Sequence, residues 1–315
     1  MIVIDDIRAC DALPAPLDSK PVCITVGSFD GVHRGHQRIL EETRALANEM
    51  GGCTAVVTMR PHPRRFFSPD HAPNLLTTDA KKIELLADLG MDAVFFLPFD
   101  AETASLDREH FVDDILLDKC KARGIVVGHD FSFGKNALGN YGYLKELEDK
   151  HDIIVREVPA FLLNGLRVSS TLIRERILLG DLEQAEELLG RPYAIQGEVI
   201  TGRGVGKKLG YPTANIRPHH SAVPAQGVYA AHAHYNGHRY LAAVNIGIAP
   251  TVRQEDLMIE AFLLDFEGDL VGREIELVFH RRLRPEKKFP SYEALTEQID
   301  KDVATVRELL GNASK

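Results

Sequence analysis

The sequence predicts an α/β protein in two parts, a doubly wound parallel sheet followed by a small antiparallel β-barrel with a closing helix. Three observations predict it. Short apolar runs alternate with stretches of helical periodicity up to about residue 190, the pattern of strand-helix-strand crossovers. Beyond residue 193 strand-like runs follow one another, and Asn236-Gly237 between two of them is a strong type I′ hairpin signal. Residues 291–310 carry Leu295, Ile299, Val303, Leu309 and Leu310 at helical spacing, which suits a last helix packed on the barrel. A chain of 315 residues is long enough for two cores, and the change of pattern divides it into 1–186 and 187–315.

Residues 1–20 show little periodicity and read as a lead-in strand and loop. Val22-Cys23-Ile24-Thr25-Val26 is apolar enough for a buried parallel strand. After a glycine-rich turn at 27–36, Ile39, Leu40, Leu46 and Met50 share one face of a helix over 37–50. Gly51-Gly52 stop it, and residues 53–59 form the next strand. That strand ends on Arg60-Pro61-His62-Pro63, by itself a proline-stiffened turn, at the edge where open α/β sheets bind ligands. Thr77-Thr78-Asp79 caps a helix whose Ile83, Leu86, Ala87 and Leu89 form its apolar face, and Gly90 ends it. A strand at 93–97, a helix over about 107–119 and a strand at 124–128 follow. The last of these exits into a loop with Asp130, Phe131 and Phe133, on the sheet edge reached by the turn at 27–36. After a strand at 153–158, Ser170 and Thr171 are expected to cap a helix running to about 179, and a short helix over 182–189 completes this part. Five strands are legible beyond it, at 193–200, 228–235, 239–246, 259–266 and 274–279.

Composition narrows the function classes. With 44% hydrophobic and 26% charged residues the chain is an ordinary globular one. A net charge of −9 argues against a protein that coats nucleic acid. The cysteines at 10, 23, 53 and 120 lack paired metal spacing, and no charged n-region with an apolar h-region opens the chain. No apolar run approaches membrane-spanning length. A cytoplasmic protein without nucleic-acid or membrane partners is expected.

Gly27, Phe29, Asp30, Gly31, His33, Gly35 and His36 fall within ten residues between a strand and a helix. Glycines after a strand specify only a turn, and a His-x-x-His pair is common on helix surfaces. Together they make a place where a nucleotide approaches the backbone, phosphates meet free helix N–H groups, and two imidazoles donate to charge developing as pyrophosphate leaves. Arg174, one turn into the helix after Ser170 and Thr171, suits bidentate binding of β and γ phosphates. In the second half, residues 202–215 combine Gly204, Gly206 and Lys207 with Pro212, Thr213 and Asn215. Glycine and lysine alone fit any surface loop or a loop over phosphates, while Thr213 and Asn215 offer two oxygens to a hard cation such as Mg²⁺.

These motifs carry a resemblance. The run at 27–36 resembles the first signature of the nucleotidylyltransferase superfamily. With residues 130–134 and 169–174, it is similar to the adenylyltransferase module of prokaryotic bifunctional riboflavin kinase/FMN adenylyltransferases, also called FAD synthetases. Pro212-Thr213-Ala214-Asn215, followed by Asn245-Ile246-Gly247, Pro250-Thr251, Glu260 and residues 284–289, resembles the riboflavin kinase module. The resemblance implies a Rossmann-like first domain moving AMP from ATP to FMN, with release of pyrophosphate and formation of FAD. His33, His36, Ser170, Thr171 and Arg174 would handle the ATP phosphates, and Asp130 would lie in the nucleotide pocket. It implies a six-stranded barrel moving the γ-phosphate of ATP to the 5′ hydroxyl of riboflavin, with Thr213 and Asn215 on Mg²⁺, Gly204, Gly206, Lys207, Pro212 and Asn245 around the substrates, and Glu260 as the base. A carboxylate suits that last role, because attack by a primary alcohol gains from a group that takes its proton.

The chain departs from the family pattern at Ala137, where an arginine is common, and at Ala249 and Val252, where arginine and phenylalanine are usual. Lys135 carries a positive charge in the same loop as Ala137. The expected activity is conversion of riboflavin to FMN and of FMN to FAD, with ATP and Mg²⁺ at both steps; monomer or weak homo-oligomer stays open. Two alternatives stand beside it: a chain that has kept only the kinase step, and a flavin-binding sensor or RNA-binding regulator on an old enzyme fold.

Overall fold

A computed structural model describes residues 1–202, 206, 210–219, 222–250 and 255–311. In the first half the apolar runs become six strands, β1 (Ile2–Ile4), β2 (Val22–Val26), β3 (Cys53–Arg60), β4 (Ala93–Pro98), β5 (Ala122–Gly128) and β6 (Ile154–Val158). All pair in parallel, in the order β1-β4-β3-β2-β5-β6. Every residue of β2 is buried, as a central strand covered on both faces must be. On one face Leu40 of helix α1 (Arg34–Glu49) and Leu86 of helix α2 (Asp79–Asp88) pack with Val56, Val94 and Phe96. On the other, Val112 and Leu116 pack with Ile24, Val57, Phe95 and Ile125. The chain leaves β2 towards β3 on one side and meets β5 on the other, so the strand order reverses there, and the carboxyl ends of β2 and β5 border the crevice in which such sheets bind ligands.

The structure corrects two helix readings in this half. Helix α1 begins at Arg34, three residues before the expected start, because the His33 ring rather than a serine or aspartate caps it. Residues 107–119 are not one α-helix: a turn at Arg108–His110 leads into a π-helical run, Phe111–Lys119, where Cys120 N–H reaches the Ile115 carbonyl five residues back at 2.9 Å.

By internal contacts the chain divides into Met1–Pro73 with Asp79–Ser169, and Asn74–Thr78 with Ser170–Lys315. The second unit therefore holds helices α3 (Ser170–Leu179) and α4 (Leu182–Leu189) together with the barrel. The strap at Asn74–Thr78 is tied into it: Ala222 N–H donates to the Leu75 carbonyl at 2.9 Å and Thr78 Oγ1 to Gln196 Oε1 at 2.6 Å.

Six antiparallel strands close the barrel, β7 (Tyr193–Ile200), β8 (Thr213–Pro218), β9 (Gly227–Tyr235), β10 (His238–Pro250), β11 (Glu255–Leu263) and β12 (Glu274–Arg284), in the order β7-β8-β11-β10-β9-β12. The β9–β10 hairpin turns at Asn236 (φ 50°) and Gly237 (φ 78°), as a type I′ turn requires. Burial alternates along β7, so Ile195 and Val199 face the barrel interior with Val244, Ile259, Ala261 and Leu277, while the intervening positions face outward. The strand missing from the pattern reading is β8. Its residues Thr213 and Asn215, which no periodicity marked as a strand, sit on a ladder in which β8 pairs with both β7 and β11. Helix α5 (Tyr292–Leu310), capped by Ser291 Oγ, lies on the outer wall, with Val306 and Leu310 against Ala230, Leu264, Leu241 and Phe262.

Candidate functional site

In the first unit the turn between β2 and α1 is built on two non-glycine residues in the left-handed region, Phe29 (φ 47°) and Val32 (φ 40°), besides Gly31 (φ 84°). A β-branched residue there is a conformational outlier that persists only where its surroundings fix it. Phe29, Asp30 and Val32 are all buried. Thr58 Oγ1 donates to the Ser28 carbonyl at 3.2 Å, and Gln37 Nε2 to the Val32 carbonyl at 2.9 Å. A Cβ on Gly27 would come within 3.2 Å of the Phe29 ring, and one on Gly35 within 3.1 Å of the His33 ring. These two glycines thus make room for the side chains of the turn itself.

His33 is buried, and its Nδ1 accepts the His36 N–H at 3.2 Å. With Nδ1 an acceptor, the neutral ring carries its proton on Nε2, which is then a donor. The rings of His33 and His36 stack with centroids 3.6 Å apart and 15° between planes, so they present one paired edge. Phe29 backs His36 at 5.0 Å. The two imidazoles are therefore preorganised at a helix N-terminus, where oxyanion charge is stabilised.

Asp130 lies just past the end of β5, its carboxylate paired with Arg167. Ala137 follows Asn136, both at positive φ, in a tight turn between two short paired strands, Ser132–Phe133 and Gly139–Asn140. The expectation that Ser170 and Thr171 cap the next helix is corrected: α3 starts at Ser170, so both hydroxyls belong to its first turn and the cap position falls on Ser169. Arg174, in the second unit, donates from Nε to the Asn74 carbonyl at 2.9 Å.

In the second unit a cavity of ≈ 470 Å³ lies between the outer wall of the barrel and the first half of α5. Strand register explains its chemistry. Asn215 of β8, Glu260 of β11 and Asn245 of β10 stand opposite one another on three adjacent strands, so their side chains line one face. Thr213, two residues before Asn215, shares that face, and all four line the cavity with Gly206. Asn215 is buried, and its Oδ1 has no hydrogen-bond partner among the described residues. A buried carbonyl oxygen left so is costly unless a ligand meets it, and beside a threonine hydroxyl and a carboxylate it makes a hard oxygen set that fits Mg²⁺. The described residues hold no group of three His, Cys, Asp or Glu suited to a metal. Pro212 is exposed just ahead of β8 and does not line the cavity, and Gly204 and Lys207 lie outside the described residues.

The far wall was not legible as a set. Arg284 grips Asp302 of α5 with Nη2 to Oδ2 at 2.7 Å and Nε to Oδ1 at 3.1 Å, and Gln298 Nε2 donates to the same carboxylate at 3.0 Å. Phe289 lies 5.7 Å from the Arg284 guanidinium. Tyr211 reaches Asp300 at 2.6 Å, a bond that, with burial, raises the phenol above its usual range. Asp302 had a sequence signal: three residues after Ile299 and four before Val306, it is a carboxylate on the apolar stripe of the helix.

Comparison with known proteins agrees with both halves. A family model described as FAD synthetase matches residues 15–172, and one described as riboflavin kinase matches residues 189–310. The bifunctional riboflavin kinase/FMN adenylyltransferase of Pseudomonas fluorescens is 41% identical over 286 residues, covering 90% of this chain and 92% of that protein. The Escherichia coli protein of the same description is 35% identical over 289 residues, 91% of this chain and 92% of its own. A solved structure described as a macrolide-efflux protein from Streptococcus pneumoniae has a TM-score of 0.85 and 28% identity, covering 97% of this chain and 98% of that one. No described helix here is long and apolar enough to cross a membrane. Two family models in order, and relatives aligned over nine-tenths of the length, place this chain in the family of bifunctional riboflavin kinase/FMN adenylyltransferases.

Proposed function

We propose that the two halves of this enzyme carry out consecutive ATP-dependent transfers at separate sites, riboflavin to FMN in the barrel and FMN to FAD at the parallel sheet. The observation that carries the reading is the rung Asn215, Glu260, Asn245 beside Thr213 in one cavity, because it sets a carboxylate next to a buried carbonyl oxygen with no hydrogen-bond partner among the described residues, in the half matched to riboflavin kinase.

In the barrel, Glu260 takes the proton of the riboflavin 5′ hydroxyl as its oxygen attacks the γ-phosphate of ATP, and ADP leaves. Thr213 Oγ1 and Asn215 Oδ1 would hold Mg²⁺, which when bound neutralises charge on the phosphate oxygens. Asn245, Gly206, Gly204, Lys207 and Pro212 are assigned to the substrates by their motifs. At the sheet, the FMN phosphate attacks the α-phosphate of ATP and pyrophosphate leaves. His33 and His36 donate to the phosphate oxygens on which charge builds, and no covalent intermediate on the protein is needed. Gly27, Phe29, Asp30 and Gly31 shape the turn that receives the nucleotide, and Asp130 belongs to its pocket. Ser170, Thr171 and Arg174 are assigned to the ATP phosphates by the motif they share with the family. The functional boundary is proposed at 186/187, between the two matched stretches, and the setting is the cytoplasm.

Chromatography of the products made by purified protein with ATP and Mg²⁺, from riboflavin and separately from FMN, tests this. FMN from the first and FAD from the second are expected. FMN with no FAD from either would leave a kinase only and turn attention to Ala137. Flavin binding without product would support a sensor instead.

A further inference from the structure

Beneath the turn at 27–36 lies a charged side chain that neither transfer uses. Lys82, on the first turn of α2, is 6% exposed. Its Nζ is 3.6 Å from Asp79 Oδ1 and 3.5 Å from Thr58 Oγ1, longer than a tight charged hydrogen bond. Burial pushes the ammonium below the usual lysine range, against the pull of the Asp79 and Asp30 carboxylates. With both contacts this long the buried ammonium is weakly compensated, and an apolar side chain of like shape would fill the space at lower cost.

Lys82 does supply two things to the turn. It is a positive charge within the field of Asp30, itself only 2% exposed. It is also a foot for Thr58, which accepts from Lys82 Nζ and donates its own proton to the Ser28 carbonyl. Ser28 and Asp30 flank Phe29, one of the two non-glycine residues that the turn holds at positive φ. A triphosphate arriving at this turn would meet the Asp30 carboxylate as a like charge, unless something cancels it.

We propose that Lys82 is a positioning residue for adenylyl transfer, cancelling the Asp30 charge from beneath and anchoring Ser28 through Thr58, so that the turn and its two histidines meet ATP as a donor surface. This rests on the adenylyl-transfer reading of the first half. The test uses the full chain, with KM for ATP and kcat of FAD formation measured separately and FMN formation from riboflavin as the internal control. Lys82→Met is expected to raise KM for ATP by about tenfold or more while riboflavin phosphorylation stays within about twofold. Lys82→Arg, which keeps the charge, is expected to recover most of the loss, and Asp30→Asn in the Lys82→Met background to lower KM for ATP again. A side chain that only fills space would not respond to the charge at position 30. Unchanged kinetics in Lys82→Met, a double variant no better than Lys82→Met alone, or loss of both activities in Lys82→Met and Lys82→Arg alike would overturn the proposal. Failure of the unmutated protein to make FAD would instead overturn the adenylyl-transfer reading itself.

Discussion

His33 has two jobs that substitution can separate. Its Nδ1 caps α1, worth about 1 kcal/mol, and its Nε2 proton is the proposed donor, worth about 10²–10³ in rate. Asparagine is a good N-cap but cannot place a donor where an imidazole does. His33→Asn is therefore expected to melt like the unmutated protein and lose FAD formation, whereas His33→Ala should lose both; thermal melts beside product assays distinguish them. A second histidine pair makes stability fall in mild acid. His232 Nδ1 and His280 Nε2 are 2.7 Å apart on the barrel's outer wall, with His234, Arg239 and Glu276 on the same face. Burial, then the neighbouring His280 charge, pushes His232 down to about 4, and burial lowers His280 too. An unfolded histidine takes its proton near 6.5, so the unfolded state binds more protons between the two values. The stabilisation is fully present above about pH 6.5 and is lost as pH falls towards 4. Chemical denaturation at pH 7.5, 6 and 5 should show that decline, and His232→Leu should flatten it.

At the scale of the element, the start of α1 shows how a helix can be held back for the sake of its site. Gly35 lies inside the first turn, where alanine would favour the helix by about 0.5–1 kcal/mol. Its added Cβ would press on the His33 ring at 3.1 Å. Gly35→Ala is therefore expected to leave stability within about 1 kcal/mol, the helix gain being offset by pressure on the capping ring, and to lower FAD formation by about tenfold, since a displacement of a few tenths of an ångström spoils aligned donors; a variant with normal FAD kinetics would mean the ring position is not critical. The strand β8 makes a related point. Thr213-Ala214-Asn215 has too few apolar residues to read as a strand, yet pairing with β11 sets Asn215 opposite Glu260. Ladder geometry, not local propensity, decides that these oxygens share a face.

For the whole molecule, separate sites predict complementation in trans. His33→Asn should still make FMN from riboflavin, and Glu260→Gln should still make FAD from supplied FMN. Mixed in one tube with riboflavin and ATP, the two variants should together make FAD, because FMN released by one protein reaches the other. No FAD from the mixture, with each single activity intact, would mean that FMN does not leave the chain that makes it. The sequence by itself determined the two-part architecture, the hairpin at Asn236-Gly237, the histidine turn and the motif residues of both halves, because periodicity, turn chemistry and motif spacing are local properties of a chain. Only the tertiary structure decided that β8 is a strand, that Asp302 closes the barrel cavity through Arg284, and that Lys82 sits buried under the turn with Thr58 and in the field of Asp30. Those three depend on which residues distant in sequence share a ladder, a wall or a dry interior, and a charged side chain announces its burial only through the neighbours that exclude water from it.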